Sequence, residues 1–198
     1  MHSDKIFEAI EFVYDKHKNQ YRKKSKIPYI VHLFDVMYIL FYERENDSSI
    51  DDDVIIGGLL HDVNEDAKVS FDEIEQKFNK KVRDYVFNAS EPEELKHKCT
   101  CKKENWKERK LHTINIISKI DLNSKYILCA DKLSNITSIY NDIVIIGEEK
   151  TWSKFYASKE ETKWYFESCI KEFEKDPKLK ESYMLKKLIF NFEKVFNV

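Results

Sequence analysis

The sequence predicts an all-α fold, a single helical bundle, and its composition and its pattern both support this. Only three glycines and three prolines occur in 198 residues, whereas chains rich in tight turns and β-hairpins need more of both. Apolar residues recur at helical spacing, and the first segment shows this at Ile6, Phe7, Ile10, Val13 and Tyr14. The run Asp142–Ile146 resembles a strand but is too short to build a sheet.

The N-terminal part predicts three helices in order. The first covers residues 3–18, with Ser3 as its N-cap. A basic stretch broken by Pro28 separates it from the second, Tyr29–Arg44, whose apolar residues form one buried stripe. An acidic loop then leads into the third, which is expected from about Asp51 to Glu65.

The remaining elements are also helical. Ser70 followed by Glu73 is a capping-box pattern, which opens a short helix. The helices are expected over Phe71–Phe78, Lys80–Asn88, Trp106–Ile120, Ser124–Tyr140 and, on either side of Pro177, within Ser153–Phe196.

The length and apolar content predict one domain. Hydrophobic residues make up 42% of the chain and aromatic residues 14%, which is enough to form a core. No internal repeat or low-complexity linker interrupts the sequence. We therefore expect a single domain over residues 1–198, with its core in about 5–175 and C-terminal helices to 198.

The balanced charge and the absence of targeting segments argue against nucleic-acid and membrane partners and favour a cytoplasmic location. The 34 basic and 36 acidic residues give a net charge of -2, so no general attraction to nucleic acid or anionic membrane is expected. No apolar run approaches the roughly 20 residues that span a bilayer, and the polar N-terminus does not resemble a signal peptide. Four scattered cysteines are too few for a disulfide framework, so we expect a cytoplasmic protein.

A histidine and three carboxylates lie within six residues, directly after the apolar run 54–60. In a continuous helix His61 would lie above Glu65, and Asp62 above Asp66, because residues four apart share a face. Such polar groups on an apolar helix cost free energy unless something compensates their charge, and a divalent metal ion is the usual compensation. Taken alone, however, His61-Asp62 is more often a structural pair.

Two other predicted helices supply further metal-type ligands. His32 lies at the start of the second helix, and Asp131 lies in the mostly apolar segment 125–133. With His61 and Asp62 they make a set of two imidazoles and two carboxylates. That mixed nitrogen and oxygen set suits Mn, Fe or Zn.

Together these segments resemble the HD-domain metal-dependent phosphohydrolases, and within them the RelA/SpoT branch that hydrolyses (p)ppGpp in the stringent response. The matching elements are Arg22-Lys23 with Pro28-Tyr29-Ile30-Val31-His32, Leu59-Leu60-His61-Asp62-Val63-Asn64-Glu65-Asp66, Glu108-Arg109-Lys110, and Ala130-Asp131-Lys132-Leu133-Ser134-Asn135. Nothing resembles a synthetase, TGS or ACT region. The layout is therefore similar to the stand-alone small alarmone hydrolases (Mesh1-like).

The resemblance implies roles for particular residues. One divalent ion, usually Mn²⁺ in this family, would be held by His32, His61, Asp62 and Asp131. The catalytic residues Glu65 and Asp66 would orient or deprotonate the attacking water. The substrate contacts would be Arg22 and Lys23 to base or phosphates, Asn135 and Ser138 to the sugar, and Arg109 and Lys110 to phosphate charge.

The implied reaction removes the 3′-pyrophosphate of ppGpp or pppGpp, giving GDP or GTP. The chain departs from the family at Ala67, at Leu33 and at Lys26-Ile27, which lies in a loop that usually carries Gly and shapes the base pocket. Two alternatives therefore stay open: a phosphohydrolase of NADPH or a nucleoside monophosphate, and a nucleotide-binding module without catalysis. The presence of all six metal and catalytic residues disfavours the module. The oligomeric state stays open.

Other noteworthy residues are predicted to be structural. His97-Lys98-Cys99-Thr100-Cys101 lacks a partner pair at zinc-site spacing, and Cys129 and Cys169 are expected as buried thiols. We expect surface positions for His2, His17 and His112, and hence a mononuclear metal site. We expect core positions for the aromatic residues Trp152, Phe155, Tyr156, Trp164, Tyr165 and Phe166.

Overall fold

The computed structural model describes residues 4–92, 94–95 and 105–197, and its regular structure is helical. No strand forms within these ranges, and the bridge between Tyr21 and Pro28 is isolated. The all-α prediction is therefore confirmed. No helix in the described ranges combines the length and the apolar character needed to cross a bilayer.

Twelve helices have defined bounds in the described residues. They are α1 Asp4–His17, α2 Ile30–Arg44, α3 Asp52–Leu60, α4 Val63–Ala67, α5 Phe71–Lys77, α6 Lys80–Ala89, α7 Trp106–Ile117, α8 Leu122–Ile146, α9 Glu148–Trp152, α10 Lys159–Phe173, α11 Pro177–Glu181 and α12 Tyr183–Phe196. The predicted N-cap Ser3 lies outside the described residues. The predicted cap of α5 is present, since Ser70 Oγ accepts a hydrogen bond from the Glu73 N–H.

The prediction of one helix from Asp51 to Glu65 is wrong, because α3 ends at Leu60 and α4 starts at Val63. The His61 imidazole donates from Nδ1 to the Gly58 carbonyl, at 2.7 Å. In a continuing helix that carbonyl would accept the backbone N–H of residue 62. The side-chain bond thus takes the place of a helical one, and His61 and Asp62 lie in a turn.

Residues 4–90 and 121–131 form one compact unit. Its helices pack around α3, which contacts α1, α2 and α6, and residues 54–60 are all buried. Gly58 allows α2 to approach closely, since a Cβ there would overlap Leu40 Cδ1. This close approach fixes α2, which carries His32, against α3, which leads into His61.

The described residues of 91–120 and 132–197 form a second compact unit. In it α10 packs against α7 and α12, and α11 packs against α12. Tyr165 and Phe166 are buried as predicted, but Tyr156 is 54% exposed, so its predicted core position is wrong. A single domain over residues 1–198 stays a prediction.

Candidate metal centre

Two buried imidazoles lie edge to face in the first unit. The ring centroids of His32 and His61 are 5.2 Å apart, and each residue is 3% exposed. His32 stands in the first turn of α2, and His61 follows the last residue of α3. The packing of these two helices therefore brings together two histidines that are far apart in sequence.

Two carboxylates complete this cluster. Asp62 Oδ2 lies 2.9 Å from His61 Nε2 and 3.6 Å from His32 Nε2. Asp131 Oδ1 lies 3.2 Å from His32 Nε2 and 3.7 Å from His61 Nε2. Two ligand atoms that share an ion at about 2.1 Å lie roughly 3.0–3.4 Å apart. The structure thus brings the four predicted ligands close together, and three of them, His32, His61 and Asp62, offer ligand atoms that all lie within 4.8 Å of one another.

The His61 ring is oriented as a metal ligand requires. Its Nδ1 donates to the Gly58 carbonyl, so Nε2 faces the cluster and can bind an ion once it has released its proton. His61 Nε2 is buried and has no hydrogen-bond partner within the described residues, although Asp62 Oδ2 lies 2.9 Å from it. A buried nitrogen without a hydrogen bond is unusual. A divalent cation would satisfy both that nitrogen and the carboxylates, so the donor set fits a divalent metal site.

The charges in the cluster depend on one another. Burial alone would lower the pKa of His61, but the carboxylates of Asp62 and Asp131 raise it well above its usual range. Burial alone would raise the pKa of Asp62, but the imidazoles of His61 and His32 lower it well below its usual range. The Asp62 carboxylate is therefore ionised and available to a cation.

Tyr29 also belongs to this cluster, although the sequence predicted no role for it. Its hydroxyl donates to Asp62 Oδ2 at 2.5 Å. Burial raises the pKa of Tyr29, and so do the carboxylates of Asp62 and Asp66, so the phenol keeps its proton. Its position three residues before His32, at the start of a helix, was the available sequence signal.

His17 is buried, so its predicted surface position is wrong. It is 1% exposed, and its Nδ1 lies 2.6 Å from Gln20 Oε1. Its ring stacks on that of Tyr29, with the centroids 5.4 Å apart. His17 extends the buried stripe of α1, four residues after Val13, so the periodicity could have predicted its burial. His112 is half-buried, and His2 lies outside the described residues.

The two predicted catalytic carboxylates follow Asp62 on α4. Glu65 is half-buried, while Asp66 keeps more contact with solvent. The Asp66 N–H donates to the Asp62 carbonyl at 2.9 Å, so the turn at Asp62 fixes the start of α4. Desolvation and the Asp62 carboxylate raise the pKa of Asp66. Such a carboxyl is a better proton acceptor than one in bulk water.

The predicted substrate residues Arg22 and Lys23 lie in the loop between α1 and α2. Backbone hydrogen bonds close this loop, from the Arg22 N–H to the Ile27 carbonyl at 2.8 Å and from the Tyr29 N–H to the Gln20 carbonyl at 2.9 Å. The Arg22 guanidinium lies 5.6 Å from the centroid of the Tyr29 ring. Lys23 is exposed.

The other four predicted substrate residues belong to the second unit. Arg109 Nη1 and Lys110 Nζ bind Glu91, at 2.7 and 3.0 Å. Asn135 and Ser138 are half-buried on α8. For all four, contact with substrate stays a prediction.

The structure describes two of the four cysteines, Cys129 and Cys169. Both residues are buried, as predicted. The segment 97–101, which was rejected as a zinc site, lies outside the described residues.

Comparison with known proteins identifies the family. The profile of the HD domain matches residues 9–150, well over half of the chain. The chain belongs to the HD-domain family. The matched range of this HD-domain protein contains His32, His61, Asp62 and Asp131, together with Glu65 and Asp66.

Relatives of this HD-domain protein include proteins named guanosine-3′,5′-bis(diphosphate) 3′-pyrophosphohydrolases. It is 31% identical over 138 residues to MESH1 of Drosophila melanogaster, covering 69% of this chain and 70% of that protein. It is 36% identical over 135 residues to MESH1 of Xenopus tropicalis, covering 68% and 69%. The match to the enzyme of Borreliella burgdorferi is 32% identical over 140 residues and covers 68% of this chain but 19% of that protein.

Solved structures share the fold of this HD-domain protein. A metazoan ortholog of SpoT, described as hydrolysing ppGpp, superimposes with a TM-score of 0.72 at 27% identity, covering 97% of this chain and 96% of that one. The protein lmo0812 of Listeria monocytogenes superimposes with a TM-score of 0.71 at 26% identity, covering 84% and 99%.

Proposed function

We propose that this HD-domain protein is a metal-dependent hydrolase that removes the 3′-pyrophosphate of ppGpp or pppGpp, giving GDP or GTP. The observation that carries the proposal is the cluster of His32, His61, Asp62 and Asp131, followed directly by two carboxylates on α4. The MESH1 relatives, matched over 69–70% of their length, carry this activity in their names, which supports the same reaction here.

In this proposal the four clustered residues hold one divalent ion, which we propose to be Mn²⁺. An ion in such a site lowers the pKa of water and stabilises charge on a phosphoryl oxygen. Glu65 and Asp66 orient the attacking water and accept its proton. The bond from His61 to the Gly58 carbonyl keeps the imidazole in the tautomer that the site needs.

The proposed substrate carries diphosphates at two positions of its ribose, so its recognition requires two cationic regions. The metal centre provides one of them. Arg22 and Lys23 provide the other, in the closed loop that leads into α2. The Arg22 guanidinium lies over the Tyr29 ring, and the Tyr29 hydroxyl donates to Asp62. Tyr29 therefore links this cationic loop to the proposed metal centre.

A hydrolase of another nucleotide, such as the 2′-phosphate of NADPH, is the second candidate. The loop that carries Arg22 supports it, because Lys24 there has a φ of 50° and because, by the resemblance described above, Lys26-Ile27 lies in a loop that usually carries Gly. A left-handed lysine shapes the loop differently from a flexible glycine. This difference in loop shape would alter which base or sugar the pocket accepts, and it would leave the proposed metal ligands unchanged.

Steady-state kinetics with Mn²⁺ on ppGpp, GMP, dGMP and NADPH test the proposal. We expect kcat/KM for ppGpp to exceed the others by at least about tenfold, the value of one charge-assisted contact. The products should be GDP and pyrophosphate, which chromatography separates from orthophosphate. Equal or faster turnover of NADPH or a monophosphate would favour the second candidate. No turnover of any nucleotide with the metal bound would indicate a binding module.

A further inference from the structure

The hydroxyl of Tyr29 contacts the one Asp62 oxygen that also faces both imidazoles. Asp62 Oδ2 lies 2.9 Å from His61 Nε2 and 3.6 Å from His32 Nε2, and it accepts the Tyr29 hydrogen bond at 2.5 Å. A carboxylate oxygen has two lone pairs, so it can ligate an ion and accept this bond together. The Tyr29 bond therefore restricts the rotation of the ligating carboxylate.

The Tyr29 ring is held on several sides. It stacks on His17 with a 23° angle between the ring planes, and it meets the His32 ring at 72°. The His17 ring is itself fixed by its contact with the Gln20 side chain. The Tyr29 carbonyl also accepts the His32 N–H at 3.0 Å, so backbone and ring are both fixed.

A second consequence concerns the loop that carries the predicted substrate residues. The Arg22 guanidinium lies over the Tyr29 ring, and an aromatic face attracts a cation. Tyr29 also closes the base of this loop, because its backbone N–H donates to the Gln20 carbonyl. Tyr29 thus contacts both Asp62, a predicted metal ligand, and Arg22, a cationic side chain predicted to bind the substrate.

We infer that Tyr29 is a positioning residue with two separable roles. Its hydroxyl fixes the ligating oxygen of Asp62, and its ring fixes the guanidinium of Arg22. The second role rests on the proposed function, because it concerns nucleotide binding, whereas the first concerns metal binding alone.

Two substitutions separate the roles. Tyr29→Phe removes the hydroxyl and keeps the ring. Mn²⁺ affinity should fall about tenfold, as for the loss of a partner that orients a ligand. With saturating Mn²⁺, kcat for ppGpp should fall about tenfold and KM should stay within twofold. Tyr29→Leu removes the ring as well, so KM should also rise about fivefold, the value of one cation–π contact.

Calorimetric titration with Mn²⁺ and steady-state kinetics on the full chain measure these effects. Tyr38→Phe is the matched control, because Tyr38 lies on α2 with 66% exposure, and it should change neither quantity. If Tyr29→Leu does not fold, Tyr29→Met serves in its place, while Tyr29→Phe retains the side-chain shape.

Unchanged Mn²⁺ affinity in Tyr29→Phe would overturn the role of the hydroxyl. Equal KM values for Tyr29→Phe and Tyr29→Leu would overturn the role of the ring. If the wild-type protein does not hydrolyse ppGpp, the proposed function fails, but the Mn²⁺ titration still decides whether the hydroxyl positions Asp62.

Discussion

His32 Nε2 lies 3.2 Å from Oδ1 of Asp131, and this contact joins the first turn of α2 to the first part of α8. The same Asp131 oxygen lies 3.7 Å from His61 Nε2, so one carboxylate faces both imidazoles. Asp131 is 7% exposed. Because a buried carboxylate costs free energy unless its charge is compensated, this arrangement favours ligation of a cation.

Asp131→Ala should lose most of the metal-binding affinity. Loss of a partner that only orients a ligand typically costs 10- to 100-fold, so loss of a ligand should cost about 100-fold or more. Calorimetric titration with Mn²⁺ measures the affinity, and elemental analysis should give about one ion per wild-type chain. Asp142→Ala is the control, because this carboxylate lies on the same helix and binds Lys154 at 2.8 Å. Wild-type affinity in Asp131→Ala would exclude Asp131 as a ligand.

Glu65→Gln should keep the metal and lose activity. The amide preserves the shape of the side chain but cannot accept a proton from water, so kcat should fall on the order of 100-fold or more. Steady-state kinetics on ppGpp, alongside elemental analysis, separate this effect from metal loss. Near-native kcat would leave Glu65 a structural role and transfer the proposed base to Asp66, which Asp66→Asn tests in the same assay.

Lys23→Ala should weaken the use of ppGpp mainly through KM. This exposed side chain would contact a part of the nucleotide away from the reacting phosphorus, in ground and transition states alike. We expect KM to rise about tenfold and kcat to stay within twofold. Lys18→Ala is the control, since Lys18 is an exposed cation near the end of α1 that pairs with Asp15. A fall in kcat at constant KM would contradict the assignment.

The clustering of His32, His61, Asp62 and Asp131 could be predicted from sequence, because each lies in or next to an apolar helical segment and their residue types fit one kind of ion. The break between α3 and α4 could not be predicted from sequence, because it depends on the hydrogen bond from the His61 side chain to the Gly58 carbonyl. Local helical periodicity continues through residue 66 and gives no indication of that competing bond.

The partners of Tyr29 and Arg109 show where sequence patterns stop being informative. Tyr29 bonds to Asp62, and Arg109 to Glu91, across separations with no helical or strand periodicity. Their pairing depends on tertiary packing, which no local pattern encodes. The burial of His17 was predictable, however, because it continues the apolar stripe of α1.

Gly58→Ala should destabilise the protein, although alanine is the better helix former. A Cβ at residue 58 would overlap Leu40 Cδ1, and Leu40 is fully buried and has little space to move. Overpacking typically costs about 1–3 kcal/mol, which outweighs the roughly 1 kcal/mol of helix propensity that is gained. Urea denaturation measures the change. Leu40→Val in the Gly58→Ala background should restore part of the loss, and an unchanged urea midpoint in the single variant would contradict the packing argument.

Glu91→Gln should lower stability near neutral pH, and the loss should disappear in acid. Burial alone would raise the pKa of Glu91 above its ordinary 4.5, but Lys110 and Arg109 lower it below that value. A folded-state pKa below the unfolded one adds stability above the unfolded pKa, and this stability is lost as pH falls through the folded pKa. The charged pair at 2.7 Å should contribute about 1–3 kcal/mol near pH 7.

Urea denaturation of the wild-type protein and of Glu91→Gln, from pH 7 down to below pH 4, measures this difference. The two free energies of unfolding should differ most near pH 7 and converge as the Glu91 carboxyl takes up its proton in the folded state. Glu181→Gln is the control. Glu181 binds Lys186 at 2.9 Å with its side chain 75% exposed, and exposed pairs contribute little. A difference for Glu91→Gln that stays constant with pH would mean that packing, and not the charge of Glu91, stabilises this cluster.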